Sequence, residues 1–126
     1  MNSVVYDAGA LIAADRSERR TWAEHRVLLE AGLLPHVPAP VVAQVSRSPR
    51  QAELRRFLRG CEVVPMDERM AHSAGALLGN SRTKDVVDAS VAVLAIRRGA
   101  DVVSDDTKDL RRLFSAARAK IRIVGV

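Results

Sequence analysis

A chain of 126 residues, 48% apolar and 28% charged, is sized for one domain with a core of its own, and residues 1–126 are expected to form it. Only 3% of the residues are aromatic and one is a cysteine, which argues against a base-stacking platform, a disulfide scaffold and, with no Cys/His spacing to suit it, a zinc module. A net charge of +5 favours a polyanionic or acidic partner, although seventeen of the twenty basic residues are arginines and a GC-rich genome accounts for that as readily as phosphate binding does.

No basic leader and no long apolar run is present, so a cytoplasmic protein without a membrane span is expected. Ser3 to Tyr6 predicts a first strand that Asp7 ends, and A-G-A-L-I-A-A has helical composition. Asp15 to Arg20 predicts a polar turn, followed by an amphipathic helix that turns Trp22, Ala23, Val27, Leu28 and Ala31 inward, leaves His25 on the surface and stops at Gly32. Leu33 to Val37 predicts a second strand. Pro40 then opens a helix that carries Gln44 and, one turn on, Arg47. The segment from Arg47 to Arg59 is the most basic, with Leu54, Phe57 and Leu58 as its apolar stripe; its arginines, Arg47, Arg50 and Arg55 among them, form either a solvated face or a surface for RNA or a partner chain.

Glu62 to Pro65 predicts a third strand, Asp67 an N-cap, and M-A-H-S-A-G-A-L-L-G a helix closing at Gly79, with His72 in a structural role. Asn80 to Arg82 is a loop. From Lys84 to Arg98 the next helix is apolar on several sides, with Thr83 as its N-cap and Gly99 as its stop. Asp85 in its first turn answers the helix dipole, but Asp88, placed among valines and alanines, is costly as a lone anion and calls for a cation. The two lie three residues apart and can serve one site. Asp101 to Ser104 is a fourth strand, whose carboxyl end delivers Ser104, Asp105 and Asp106 into a turn before a helix carrying Asp109, and Ile121 to Val124 is the last strand.

The order β-α-α-β-α-α-β-α-α-β-α-β predicts an α/β fold, a mostly parallel sheet of about five strands with helices on both faces. In such a sheet Asp7 and Asp106, both at strand tips, converge on Asp88. Two carboxylates about 4 Å apart repel by roughly 4 kcal/mol at an effective dielectric near 20, so the group ionises together only around something positive. A hard divalent ion, Mg²⁺ or Mn²⁺, suits an all-oxygen donor set and the hydrolysis of a phosphodiester.

The segments V-V-Y-D-A-G-A-L-I-A, P-A-P-V-V-A-Q-V, D-V-V-D-A-S-V-A-V-L-A and V-V-S-D-D-T-K-D-L, taken in order, resemble the PIN-domain ribonucleases, most closely the VapC-type toxins of bacterial toxin–antitoxin pairs. The resemblance implies a PIN-like fold and an Mg²⁺- or Mn²⁺-dependent endoribonuclease that cleaves RNA such as tRNA or rRNA. It assigns Asp7, Asp88 and Asp106 to the metal and to catalysis, Ser104 to the place of the usual turn threonine, and Asp109 to an accessory acid; Asp85 and Asp105 are further acids at hand. Gln44 stands where the family commonly has Glu and can orient water or substrate, but adds no charge. The resemblance also implies a VapB-like antitoxin and a homodimer. A PIN-fold binding partner with little catalysis is the alternative that Gln44 supports. A receiver-like signalling domain would need a lysine after the fifth strand, and none is there.

Overall fold

The computed structural model describes residues 2–126. Five strands, β1 (Val4–Tyr6), β2 (His36–Pro38), β3 (Glu62–Val64), β4 (Asp101–Val103) and β5 (Ile123–Val124), form one parallel sheet in the order β3-β2-β1-β4-β5. Seven helices connect them: α1 (Ala8–Asp15), α2 (Arg19–Glu30), α3 (Ala39–Val45), α4 (Ala52–Arg59), α5 (Glu68–Ser81), α6 (Val86–Arg98) and α7 (Thr107–Ala116). The expected α/β class and order of elements are those observed.

Strand order dictates where the helices go. The chain steps from β1 to β2 to β3 in one direction, returns across the sheet, and continues from β4 to β5 in the other. Right-handed crossovers therefore put α1 to α4 on one face and α5 to α7 on the other. The direction of winding reverses between β1 and β4, and beyond the carboxyl ends of strands at such a point a crevice opens. Asp7 follows β1 there and Ser104 follows β4, with the Asp7 amide donating to the Val103 carbonyl at 3.0 Å. Three residues suffice for the central strands β2, β1 and β4 because their middle residues are buried between the helix layers, as Val37, Val5 and Val102 show at 0% exposure, while the edge strands β3 and β5 are only partly covered.

Phe114 of α7 aside, the core is aliphatic except at one corner. Three of the four aromatic residues, Tyr6, Trp22 and Phe57, gather around His25, whose ring stacks on Phe57 with centroids 3.9 Å apart and whose Nδ1 is 2.9 Å from the Tyr6 hydroxyl. His25 is thus buried, at 3% exposure, and not on the surface as its polar neighbours in sequence suggest. The inward stripe of α2 is Trp22, His25 and Leu28, while Ala23 and Ala31 are exposed and Val27 is 51% exposed. Burial pushes the His25 imidazole below its ordinary pKa, so the ring sits in the core neutral.

Other boundaries move by a few residues. Helix α6 starts at Val86, and its N-cap is Asp85 rather than Thr83; the Asp85 Oδ1 accepts from the Asp88 amide at 2.9 Å. Thr83 instead shares a 2.7 Å hydrogen bond with Ser81. Helix α5 continues past Gly79 through Asn80 and Ser81, and Arg82 closes it in the left-handed region, φ 57°. Gly99 takes that role for α6 at φ 59°, where a side chain is disfavoured. Helix α3 ends at Val45, so Arg47 is not on the helix that carries Gln44.

Candidate metal and nuclease site

Asp7 is the N-cap of α1, placed by β1 at the reversal point and only 3% exposed. Both carboxylate oxygens are in use: Oδ1 accepts from the Ala8 amide at 2.7 Å and Oδ2 from the Ser104 hydroxyl at 2.7 Å. Ser104, fully buried, in turn accepts from the Asp106 amide at 2.9 Å. One hydroxyl, donating to Asp7 and accepting from Asp106, therefore locks the turn after β4 to the tip of β1. Burial raises the Asp7 pKa most; the Ser104 and Ala8 hydrogen bonds work against that, and the Asp106 and Asp105 charges add to it.

Asp106 occupies the N-cap position of α7, yet its side chain caps nothing and is left for the crevice. Asp109, exposed in the first turn of α7, and Asp88, 6% exposed in the first turn of α6, face it. Asp88, Asp106 and Asp109 each place one carboxylate oxygen within 4.8 Å of the others. Among the described residues Asp88 Oδ2 is a buried oxygen without a hydrogen-bond partner. Burial first, then the charges of Asp85, Asp7 and Asp106 and a hydrogen bond with Asp106 that needs a proton, push the Asp88 carboxyl up to about 8.

This donor set fits a divalent cation. The oxygens are hard and lie at the spacing of ligands around one ion, and the Asp88 carboxylate among them has a buried oxygen without a hydrogen-bond partner. Asp88, Asp106 and Asp109 are the residues that could hold the ion together. Asp7 stands beside them, close enough to raise the Asp88 pKa, but with its oxygens held by Ala8 and Ser104.

The remaining expected residues fall into two groups. Asp85 lies at the edge of the same crevice, lining with Thr83, Lys84, Asp88, Asp109 and Leu113 a cavity of about 170 Å³. Asp105 is exposed and lies over the start of α1: a Cβ on Gly9 would come within 2.5 Å of its Oδ1, so the missing side chain at Gly9 makes room for this carboxylate. Gln44 is exposed on α3, a helix that packs against α6. Arg47 folds back onto the Ser46 carbonyl, to which its guanidinium donates at 2.8 Å, whereas Arg50 and Arg55 are exposed without an ion pair among the described residues. Sequence reasoning missed Gln51, which ties this basic loop down by accepting from the Arg47 and Ser48 amides and donating to Asp15 and the Val45 carbonyl. It also missed Gly9 and Lys84. The D-A-G run and the lone lysine at the opening of α6 were the available signals.

The family model for the PIN domain matches residues 4–114. The chain belongs to the PIN-domain family. Among solved structures, VapBC2 from Rickettsia felis bound to a DNA fragment from its promoter matches this PIN domain with a TM-score of 0.75 at 17% identity, covering 98% of each chain. DNA-bound VapBC from Salmonella typhimurium gives 0.72 at 21% identity, over 99% of this chain and 98% of that one. A toxin–antitoxin complex from Klebsiella pneumoniae gives 0.66 at 19% identity, over 85% and 89%. Likeness at these identities is a likeness of fold. No curated protein sequence matches the chain.

Proposed function

We propose that this PIN domain is a metal-dependent endoribonuclease and the toxin of a VapBC-type pair, inhibiting translation by cutting RNA, tRNA or rRNA in particular. One observation carries the reading: the carboxylates of Asp88, Asp106 and Asp109 lie within ligand distance of one another at the reversal point of a parallel sheet, and Asp88 among them has a buried oxygen without a hydrogen-bond partner. A protein gains nothing in stability from such an arrangement without a cation. Asp88, Asp106 and Asp109 would hold Mg²⁺ or Mn²⁺, with Asp7 behind them. A bound divalent ion supplies Lewis acidity toward a phosphodiester and lowers the pKa of water.

The protein's own contribution is position. Ser104 fixes the Asp7 carboxylate and the Asp106 backbone relative to each other, so two strands and two helices share one rigid turn. Asp7, hydrogen-bonded but still raised in pKa, can accept a proton from an attacking water. The excess of basic residues, with Arg50 and Arg55 unpaired, supports a polyanionic substrate. An antitoxin partner is supported by the likeness to chains of toxin–antitoxin complexes, and a homodimer belongs to the same reading.

The test is cleavage of total cellular RNA by the purified, partner-free protein with Mg²⁺, Mn²⁺ or EDTA, beside an Asp7→Asn control. Discrete fragments that need metal and vanish in the control are expected. No cleavage by a folded protein under either metal would favour the second reading, a PIN-fold partner with little catalysis. The neutral Gln44, exposed on α3 and adding no charge to the site, is the observation on its side.

A further inference from the structure

The tripeptide Thr-Lys-Asp occurs twice, at residues 83–85 and 107–109, each time at the opening of a helix of the same layer. The two aspartates, Asp85 and Asp109, line one cavity together with Asp88, and Lys84 is the cation in its wall. Lysine is rare here, three residues against seventeen arginines, so its use at this place is not a matter of bulk composition. Lys84 is exposed and, among the described residues, makes no ion pair although three carboxylates share its cavity. A lysine serving only to neutralise the acids would be drawn onto one of them. Asp88, whose buried Oδ2 has no hydrogen-bond partner, lies in the same wall and joins this cavity to the cation site.

We propose that Lys84 is a phosphate-binding residue for the RNA strand, gripping a phosphate next to the one that is cut. The proposal rests on the nuclease reading and deepens it. The acids around this crevice, Asp7, Asp85, Asp88, Asp106 and Asp109, outnumber the charge of one divalent ion and together repel a phosphodiester; Lys84 is the cation in the cavity wall that offsets part of that repulsion. A compact ammonium on a flexible stem suits a phosphate whose position varies with the base beside it, where a planar guanidinium would demand one geometry. Its contact is to the backbone and carries no base preference.

The experiment compares wild type with Lys84→Gln, Lys84→Arg and Lys120→Gln; Lys120 precedes β5 and is not among the cavity's lining residues. Binding of a short single-stranded phosphorothioate RNA, which resists cleavage, is followed by anisotropy with Mn²⁺ present across salt concentrations, cleavage kinetics of ordinary RNA are measured with Mn²⁺, and melting temperature and Mn²⁺ affinity are recorded. Expected for Lys84→Gln are binding weaker by about tenfold, KM raised with kcat within about twofold, and a salt slope shallower by about 0.7, alike for RNAs of different sequence. Lys84→Arg restores most of the binding, Lys120→Gln changes little, and melting temperature and Mn²⁺ affinity hold. RNA binding unchanged in Lys84→Gln, or lowered equally in Lys120→Gln, overturns the proposal, as does a loss explained by a lower melting temperature. Wild-type protein that neither binds nor cuts RNA overturns the nuclease reading itself, and Lys84 with it; cutting that is indifferent to Lys84 overturns Lys84 alone.

Discussion

Asp88 shows how one residue carries information about what a protein binds. Its carboxyl is pushed up to about 8 from an ordinary 3.8, so the folded chain holds this proton more tightly than the unfolded chain does. The stabilisation that follows is complete below about pH 4 and is lost as pH rises through about 8. Metal-free protein should therefore lose stability across that range, and Asp88→Asn should be more stable than wild type at pH 8 by on the order of 1–2 kcal/mol, allowing for solvent at the mouth of the crevice. Urea unfolding in EDTA at pH 5 and pH 8 checks this; an Asn variant that is less stable at both would mean that Asp88 is a structural anion. His25 carries the opposite sign. Its pKa is lowered by burial, so its contribution is present above the ordinary histidine range and lost as pH falls through the folded value. The sequence revealed Asp88 because a carboxylate among valines is anomalous, and concealed His25 because its neighbours along α2 are charged. What buries His25 is Tyr6 and Phe57, from two other elements, and no window on one helix contains them.

At the scale of elements, the caps and close contacts determine which helices hold the site. The start of α6 was misplaced by two residues because Thr83 and Asp85 are both capable N-caps, and the hydrogen bond from the Asp88 amide selects Asp85. Strand tips were legible, since Asp7 and the S-D-D turn each follow a short apolar run, and the parallel order of elements brings such tips to one edge. Close packing between elements was not legible, and two glycines show it. A Cβ on Gly60 would lie 2.8 Å from His25 Nε2 and 3.1 Å from Leu29 Cδ1. The ring is fixed between Phe57 and Tyr6 and cannot swing away, so Gly60→Ala should cost about 1–3 kcal/mol. At Gly9 the added atom meets only the end of the exposed Asp105 side chain, so Gly9→Ala should change stability by no more than about 0.5 kcal/mol while moving Asp105 off the start of α1. Urea titration of both variants separates the two cases, and equal costs would contradict the packing described.

For the whole molecule, a sheet whose winding reverses between β1 and β4 gathers acids from residues 7, 88, 106 and 109 into one crevice. The resemblance read from four short segments was enough to place the chain among PIN domains, which the match over residues 4–114 bears out. It did not foresee that Asp109 stands nearer the shared ligand set than its accessory label suggests. First-turn residues of α7 face the first turn of α6 only once α6 and α7 pack, and spacing along one helix does not report that. Gln44 is where the chain departs from the charge pattern that the resemblance implies. Restoring the anion in Gln44→Glu should tighten Mn²⁺ binding by about tenfold and raise RNA cleavage with it. Unchanged affinity, measured by calorimetry, would show that the α3 position is remote from the ion.

The most direct measurement is calorimetric titration of Mn²⁺ into the purified protein at pH 7 in two buffers of different ionisation enthalpy, for wild type and Asp88→Asn. Because the Asp88 carboxyl is raised to about 8, it holds its proton at pH 7, and a cation seated among these acids must displace it. Binding of Mn²⁺ with release of about one proton per ion in wild type, and weaker binding without proton release in Asp88→Asn, is the predicted result. Binding that is absent, or that is the same in both proteins and releases no proton, would contradict the assignment of this crevice as a metal centre.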